Sequence, residues 1–172
     1  MSVPRPVVDD AGRIALDGIA HPVAIGSSIR DGDGRIVDFR VVFVNRASAT
    51  WSGITDRDAA VGGSLLQGVP TFARSGFFDA LVHVVQTGQP FTQRGVQYDV
   101  ASGPSYMAGT YDITVVRHGD GYVTAWRRVD DGAAASEDLD SSVAIAREVV
   151  KLVRLESRGL AAPPRLRLRP AI

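Results

Sequence analysis

The sequence predicts an α+β fold: one five-stranded antiparallel sheet with short helices packed on one face, and a flanking helix at each end. Three patterns carry this expectation. Two apolar runs flank Asp31-Gly32-Asp33-Gly34, a turn with the tolerance for positive φ that a tight hairpin demands. A stretch follows in which capping residues and glycines recur every few positions, and it ends in one longer segment with helical apolar spacing. From Phe91 onward, strand-like runs succeed one another through turns at Ser102-Gly103-Pro104 and Gly119-Asp120-Gly121.

Pro4 and Pro6 make residues 1–8 a loose arm, after which Asp9 or Asp10 caps a short helix carrying Ile14, Leu16 and Ile19, weakened by Gly12 and Gly18. The first strand is expected over residues 21–30 and its partner over 36–45. In the partner, Phe39, Val41 and Phe43 alternate with Arg40, Val42 and Val44, so both faces are largely apolar, which places this strand inside the sheet and not at its edge. Asn45 ends it. A strand-end Asn bonds to the backbone of the following turn and fixes where the helices depart, a structural role.

Ala47, Ala49 and Trp51 then form a short helix closed by Gly53; Thr55 or Asp56 caps a turn over 56–60, which Val61-Gly62-Gly63 breaks. After Ser75-Gly76, Phe77, Phe78, Leu81, Val82, Val84 and Val85 share a broad apolar helix face that Gly88 and Pro90 terminate. Strands over 91–100, 106–116 and 122–130 complete an antiparallel meander.

Beyond Asp131, Gly132-Ala133-Ala134-Ala135 is a spacer and Ser136-Glu137-Asp138 an acidic helix start. Leu139, Val143, Ala146, Val150 and Val153 are spaced 4, 3, 4, 3, an apolar seam that suits either a dimer or packing on the chain's own domain. A homodimer is expected, with Ile14, Leu16 and Ile19 joining the interface. Gly159 and Pro163-Pro164 end the helix, and Arg165, Arg167 and Arg169 mark a basic tail, a minor candidate for anionic partners. The organisation expected is an arm and flanking helix over 1–20, a domain over 21–131, an amphipathic helix over 132–158 and a tail over 159–172.

Composition narrows the function. With 172 residues, 45% of them hydrophobic and 22% charged, the chain suits one domain with terminal extensions. Its formal charge of zero offers no field to attract nucleic acid. The absence of cysteine removes disulfides, thiolate metal sites and cysteine nucleophiles. No long apolar run or secretory leader pattern is present, so a cytoplasmic protein without a membrane partner is expected.

Chemistry-bearing residues are sparse. His21, His83 and His118 lack metal-ligand spacing, and the glycine pairs belong to turns and not to a phosphate loop. Tyr98, Asp99, Tyr111 and Asp112 lie on neighbouring expected strands, so one reading is a small cavity-containing enzyme or carrier using Tyr98, Asp99 and Tyr111, with His83 as a further participant. Trp51, Phe72, Phe77, Phe78, Tyr111 and Trp126, with Val82, either line a small apolar pocket between helices and sheet or pack the core.

Residues 33–47, from Asp33-Gly34 through Val44-Asn45-Arg46-Ala47, followed by Trp51-Ser52-Gly53 and Val61-Gly62-Gly63, resemble a PAS sensor domain. Val85-Gln86-Thr87-Gly88-Gln89-Pro90-Phe91 is similar to the PAS helix that leads into the last three strands. The resemblance covers roughly residues 21–131, with the order β-β-α-α-α-β-β-β. It implies a non-catalytic sensor and dimerisation module, of the kind used in two-component or cyclic-dinucleotide signalling. Such a module relays a signal through its C-terminal helix to an output domain or partner protein, and it can bind a small ligand.

The chain departs from the family at several points. Where such domains end on Asp-Ile/Val-Thr, this one has Arg128-Val129-Asp130. The flavin photoadduct and the coumarate linkage both need a cysteine. Haem-binding relatives use a His on the long helix, whereas His83 sits nearer the Thr-Gly end than that ligand, whose place falls near Phe77. Haem through His83 is therefore not expected.

Overall fold

A computed structural model of the chain describes residue 8, residues 10–98, the pairs 101–102 and 105–106, and residues 109–129. The elements in order are α1 (Asp10–Asp17), β1 (Val23–Arg30), β2 (Ile36–Val44), α2 (Arg46–Ser52), α3 (Arg57–Ala60), α4 (Leu65–Gly68), a 3₁₀ turn (Pro70–Ala73), α5 (Phe77–Thr87), β3 (Phe91–Tyr98), β4 (Ala101–Ser102), β5 (Ser105–Tyr106), β6 (Gly109–His118) and β7 (Gly121–Arg128). Five strands form one antiparallel sheet in the order β2-β1-β7-β6-β3.

Local chemistry explains most boundaries. Asp31 Oδ1 accepts from the backbone N–H groups of Asp33 (3.0 Å) and Arg35 (2.9 Å), closing the β1–β2 turn. Asn45, Asp56 and Ser64 each accept a backbone N–H of the helix they start. Gly53, at φ 67°, ends α2 in the left-handed conformation that costs an L side chain most. β4 and β5 pair as a separate two-stranded sheet, so β6 begins at Gly109 and not at residue 106.

Two expectations for β2 are corrected. It is an edge strand. Its outer backbone is nevertheless occupied: Gly62 N–H donates to Val41 O (2.8 Å), Val41 N–H to Gly63 O (2.9 Å), and Arg40 bridges to Ser64. This cover shields an edge that would otherwise invite pairing. The alternation also breaks, because a bulge at Val42 sets Phe43 opposite Ile25 but Val41 opposite Gly26. Phe39 and Phe43 therefore face opposite sides of the sheet.

Both sides are buried. The helix-facing side packs Phe39, Tyr111, Ile113, Val115, Tyr122 and Trp126 against Phe72, Phe77, Leu81, Val84 and Val85. The other packs Val23, Ile25, Phe43, Val116, Val123 and Ala125 against Leu16 of α1. β1 and β7 approach so closely that a Cβ on Gly26 would stand 2.6 Å from the Tyr122 ring and one on Gly121 2.0 Å from Gly26 O. Leu16 is wholly buried in the chain's own core, which removes it from the expected dimer interface, whereas Ile14 is 74% exposed. The residues of the expected seam, Leu139, Val143, Ala146, Val150 and Val153, and the tail arginines lie outside the described residues.

Candidate functional site

A cleft of about 640 Å³ opens where the α1–β1 connection, α2 and the ends of β6 and β7 meet. One wall is residues 17–22, and Asn45 holds it in place. The fully buried Asn45 amide donates from Nδ2 to the carbonyls of Leu16 (3.2 Å), Ile19 (3.3 Å) and His21 (2.9 Å). Its Oδ1 accepts from Val23 N–H (2.9 Å) and Ser48 N–H (2.9 Å). One side chain thus ties the connection, the first strand and the first turn of α2 together, and every polar group it buries is satisfied.

Asp17 reinforces this wall, its Oδ1 accepting from Arg46 N–H (2.8 Å) and Arg57 Nη1 (2.6 Å). Burial pushes the Asp17 carboxyl up, but the bonds from Arg57 and Arg46 outweigh it and hold the group below the ordinary carboxylate value.

The floor is aromatic. Trp51 of α2 stands edge-on to Trp126 (4.6 Å between centroids) and to Tyr111 (5.1 Å). Trp51 Nε1 donates to Tyr111 Oη (3.1 Å), and Trp126 Nε1 to Thr124 Oγ1 (2.7 Å). The rim is cationic: Arg46, Arg127 and Arg128 line it, with His21. Arg127 Nη2 donates to Asp112 Oδ2 (2.8 Å), a pair buried on the other side of the sheet, where Asp112 Oδ1 also accepts from Gly95 N–H (3.0 Å).

Of the seven residues expected either to line a pocket or to pack the core, Trp51, Tyr111 and Trp126 line the cleft, while Phe72, Phe77, Phe78 and Val82 pack elsewhere in the helix-facing core. Phe72 meets Phe77 at 4.8 Å and Phe78 meets Phe39 at 5.7 Å, so rings occupy that interior. Residues 17–22, Arg46, Arg127 and Arg128 were not anticipated. The polar end of the first strand's partner at Asn45 was their one visible sequence signal.

The proposed acid/base group does not assemble among the described residues. Tyr111 and Asp112 are successive strand residues and face opposite sides, the first bonded to Trp51 and the second paired with Arg127. Tyr98 pairs through its backbone with Gly109, and Asp99 lies outside the described residues. His83 is exposed on α5, whereas Phe77 is buried, and His118 is half-buried at the end of β6.

The order β-β, short helices, one longer helix and three sheet strands, with the Asn-capped α2 after β2, makes residues 23–128 a PAS-like α+β domain. Solved structures similar to it include PAS and sensory-box domains. One is a domain of a sensory box sensor histidine kinase/response regulator from Geobacter sulfurreducens, 17% identical, covering 70% of this chain and 92% of that one, TM-score 0.48. A second is the PAS domain of nitrogen regulation protein NR(II) from Vibrio parahaemolyticus, 15% identical over 70% of this chain and 100% of that one, TM-score 0.45. A third is the PAS domain of BvgS from Bordetella pertussis, 20% identical over 79% and 94%, TM-score 0.38. No family model matches the sequence. No curated protein matches it. Among the described residues no helix is long and apolar enough to cross a membrane.

Proposed function

We propose that the chain is a cytoplasmic, non-catalytic PAS-type sensor and dimerisation module in signal transduction. It takes a small molecule in the cleft and passes the effect through residues 132–158 to an output domain or partner protein. One observation carries this reading: the cleft is lined by both routes out of the domain, the α1–β1 connection and Trp126-Arg127-Arg128 at the end of the last strand. A ligand there touches the backbone that continues into the C-terminal segment, so occupancy and the position of that segment are coupled. Among the described residues that line the cleft none forms a nucleophile–base pair, which supports a binding role over catalysis.

Native mass spectrometry of freshly purified protein tests the ligand. A mass above 18.3 kDa per protomer that falls to 18.3 kDa on denaturation is the expected result; a bare protomer mass counts against it. Light scattering tests the dimer. The wild type is expected at twice the protomer mass and Val150→Asp at one, because the substitution sets a charge in the apolar seam; a wild-type monomer or a dimeric variant removes that interface.

A further inference from the structure

We propose that the cleft selects a small planar aromatic carboxylate, its ring on the Trp51–Trp126 floor and its carboxylate on Arg46 and Arg128. This deepens the sensor reading and rests on it.

The charges at the cleft are unevenly committed. Its one carboxylate, Asp17, is held by Arg57 and by Arg46 N–H, and one of its arginines, Arg127, is paired with Asp112. Among the described residues neither Arg46 nor Arg128 makes a side-chain ion pair, and both line the cleft. Among the described residues the site therefore presents two guanidinium groups outside any close ion pair, Arg46 sensing Asp17 only at longer range, and no acid that is not already hydrogen-bonded. A planar fork matches a carboxylate better than any neutral group of the same size.

The floor selects in a complementary way. Both indole N–H groups are already used inside the protein, so the rings offer apolar surface and not donors. A ligand's flat hydrocarbon part is satisfied there, but its polar end must be met by the arginines. Aliphatic anions lose the floor and neutral aromatics lose the rim.

The probes are 2-naphthoate and its neutral analogue 2-naphthamide, titrated calorimetrically into the full chain. Binding is located by NMR, since the chain's two tryptophans, and hence its two side-chain indole N–H signals, both belong to the cleft. The expected result is that 2-naphthoate shifts both signals and binds at least about tenfold tighter than 2-naphthamide. Arg46→Gln and Arg128→Gln should each weaken the acid roughly tenfold and leave the amide unchanged. Arg128→Lys should recover part of the loss, and unliganded variants with unmoved indole signals certify the fold.

Equal affinity for acid and amide overturns the inference while leaving the cleft a ligand site. Naphthoate binding that ignores both substitutions, or moves neither indole signal, overturns it by placing the anion elsewhere. If neither probe binds but purified protein carries a ligand by native mass spectrometry, the inference fails alone; if that mass is also bare, the sensor reading fails with it.

Discussion

The two sides of the sheet are closed in different ways. On the helix-facing side, rings from α2, the 3₁₀ turn, α5, β6 and β7 interlock edge to face: Trp51, Phe72, Phe77, Tyr111 and Trp126. The other side is aliphatic except for Phe43, and it buries the Asp112–Arg127 pair and the Thr114 hydroxyl, which has no hydrogen-bond partner among the described residues. The difference separates two tasks. Interlocked rings from distant segments fix one arrangement, because moving any ring opens a void against several others. The aliphatic side is as fully buried but holds no such set of interlocked rings, so truncating one of its side chains is expected to disturb fewer neighbours.

The largest expected effect follows directly. Trp126→Ala removes the ring shared by Trp51, Phe72, Phe77 and Tyr111 and should cost about 3–5 kcal/mol of stability. Val123→Ala, wholly buried on the other side, should cost about 2 kcal/mol. Urea unfolding compares them; equal losses break the distinction between the two sides.

The buried ion pair sharpens it. Asp112→Ala leaves Arg127 without its carboxylate and Gly95 N–H without its acceptor, a loss of about 3 kcal/mol. Asp112→Leu combined with Arg127→Met should recover most of it, since burying a charge pair costs desolvation that apolar side chains avoid. A double variant as unstable as the single one would show that the pair specifies this side's packing as firmly as the rings specify the other.

Local features of this architecture were legible in the sequence, and lateral ones were not. Asn45 and Gly53 bracket α2 because a cap acts within a few residues. The same holds for Asp31 in the hairpin turn and Gly88 after α5. The edge position of β2 escaped because an apolar second face argues only that the face is covered. The cover proved to be sheet packing for Phe43 and the Gly62–Gly63 backbone along the edge, neither visible in the strand's own pattern. The bulge at Val42 breaks alternation by one residue without any signature glycine. Three of the seven expected residues, Trp51, Tyr111 and Trp126, line the cleft, because aromatic composition marked the floor. Its arginines were missed because they come from α2 and β7, elements that meet only through the β2-β1-β7 order.

A smaller effect of opposite sign comes from Thr114. Its hydroxyl is fully buried and has no partner among the described residues, so Thr114→Val, which keeps the shape and removes the polar atom, should raise stability by about 1 kcal/mol. Thermal unfolding reads the change. A destabilised variant would mean that the hydroxyl is satisfied in solution and that this side is as fully specified as the aromatic one.

The smallest effect concerns the clasp between the two sides. Asp17 ends α1, whose Leu16 lies in the aliphatic core, and accepts bonds from Arg46 of α2 and Arg57 of α3. Its carboxyl is pushed up by burial but pulled down further by those bonds, so its folded pKa lies below the ordinary 3.8. A carboxylate depressed in this way contributes stability that is fully present above 3.8 and is lost as the pH falls through the folded value. Asp17→Asn removes that contribution at every pH. The two proteins should therefore differ at neutral pH and converge in acid, once wild-type Asp17 is itself protonated. Hydrogen exchange adds the structural reading: at neutral pH the variant's α1 amides should exchange faster while those of α5 stay protected. If α5 loosens equally, the clasp holds the whole domain together, and the two sides are not independently adjustable.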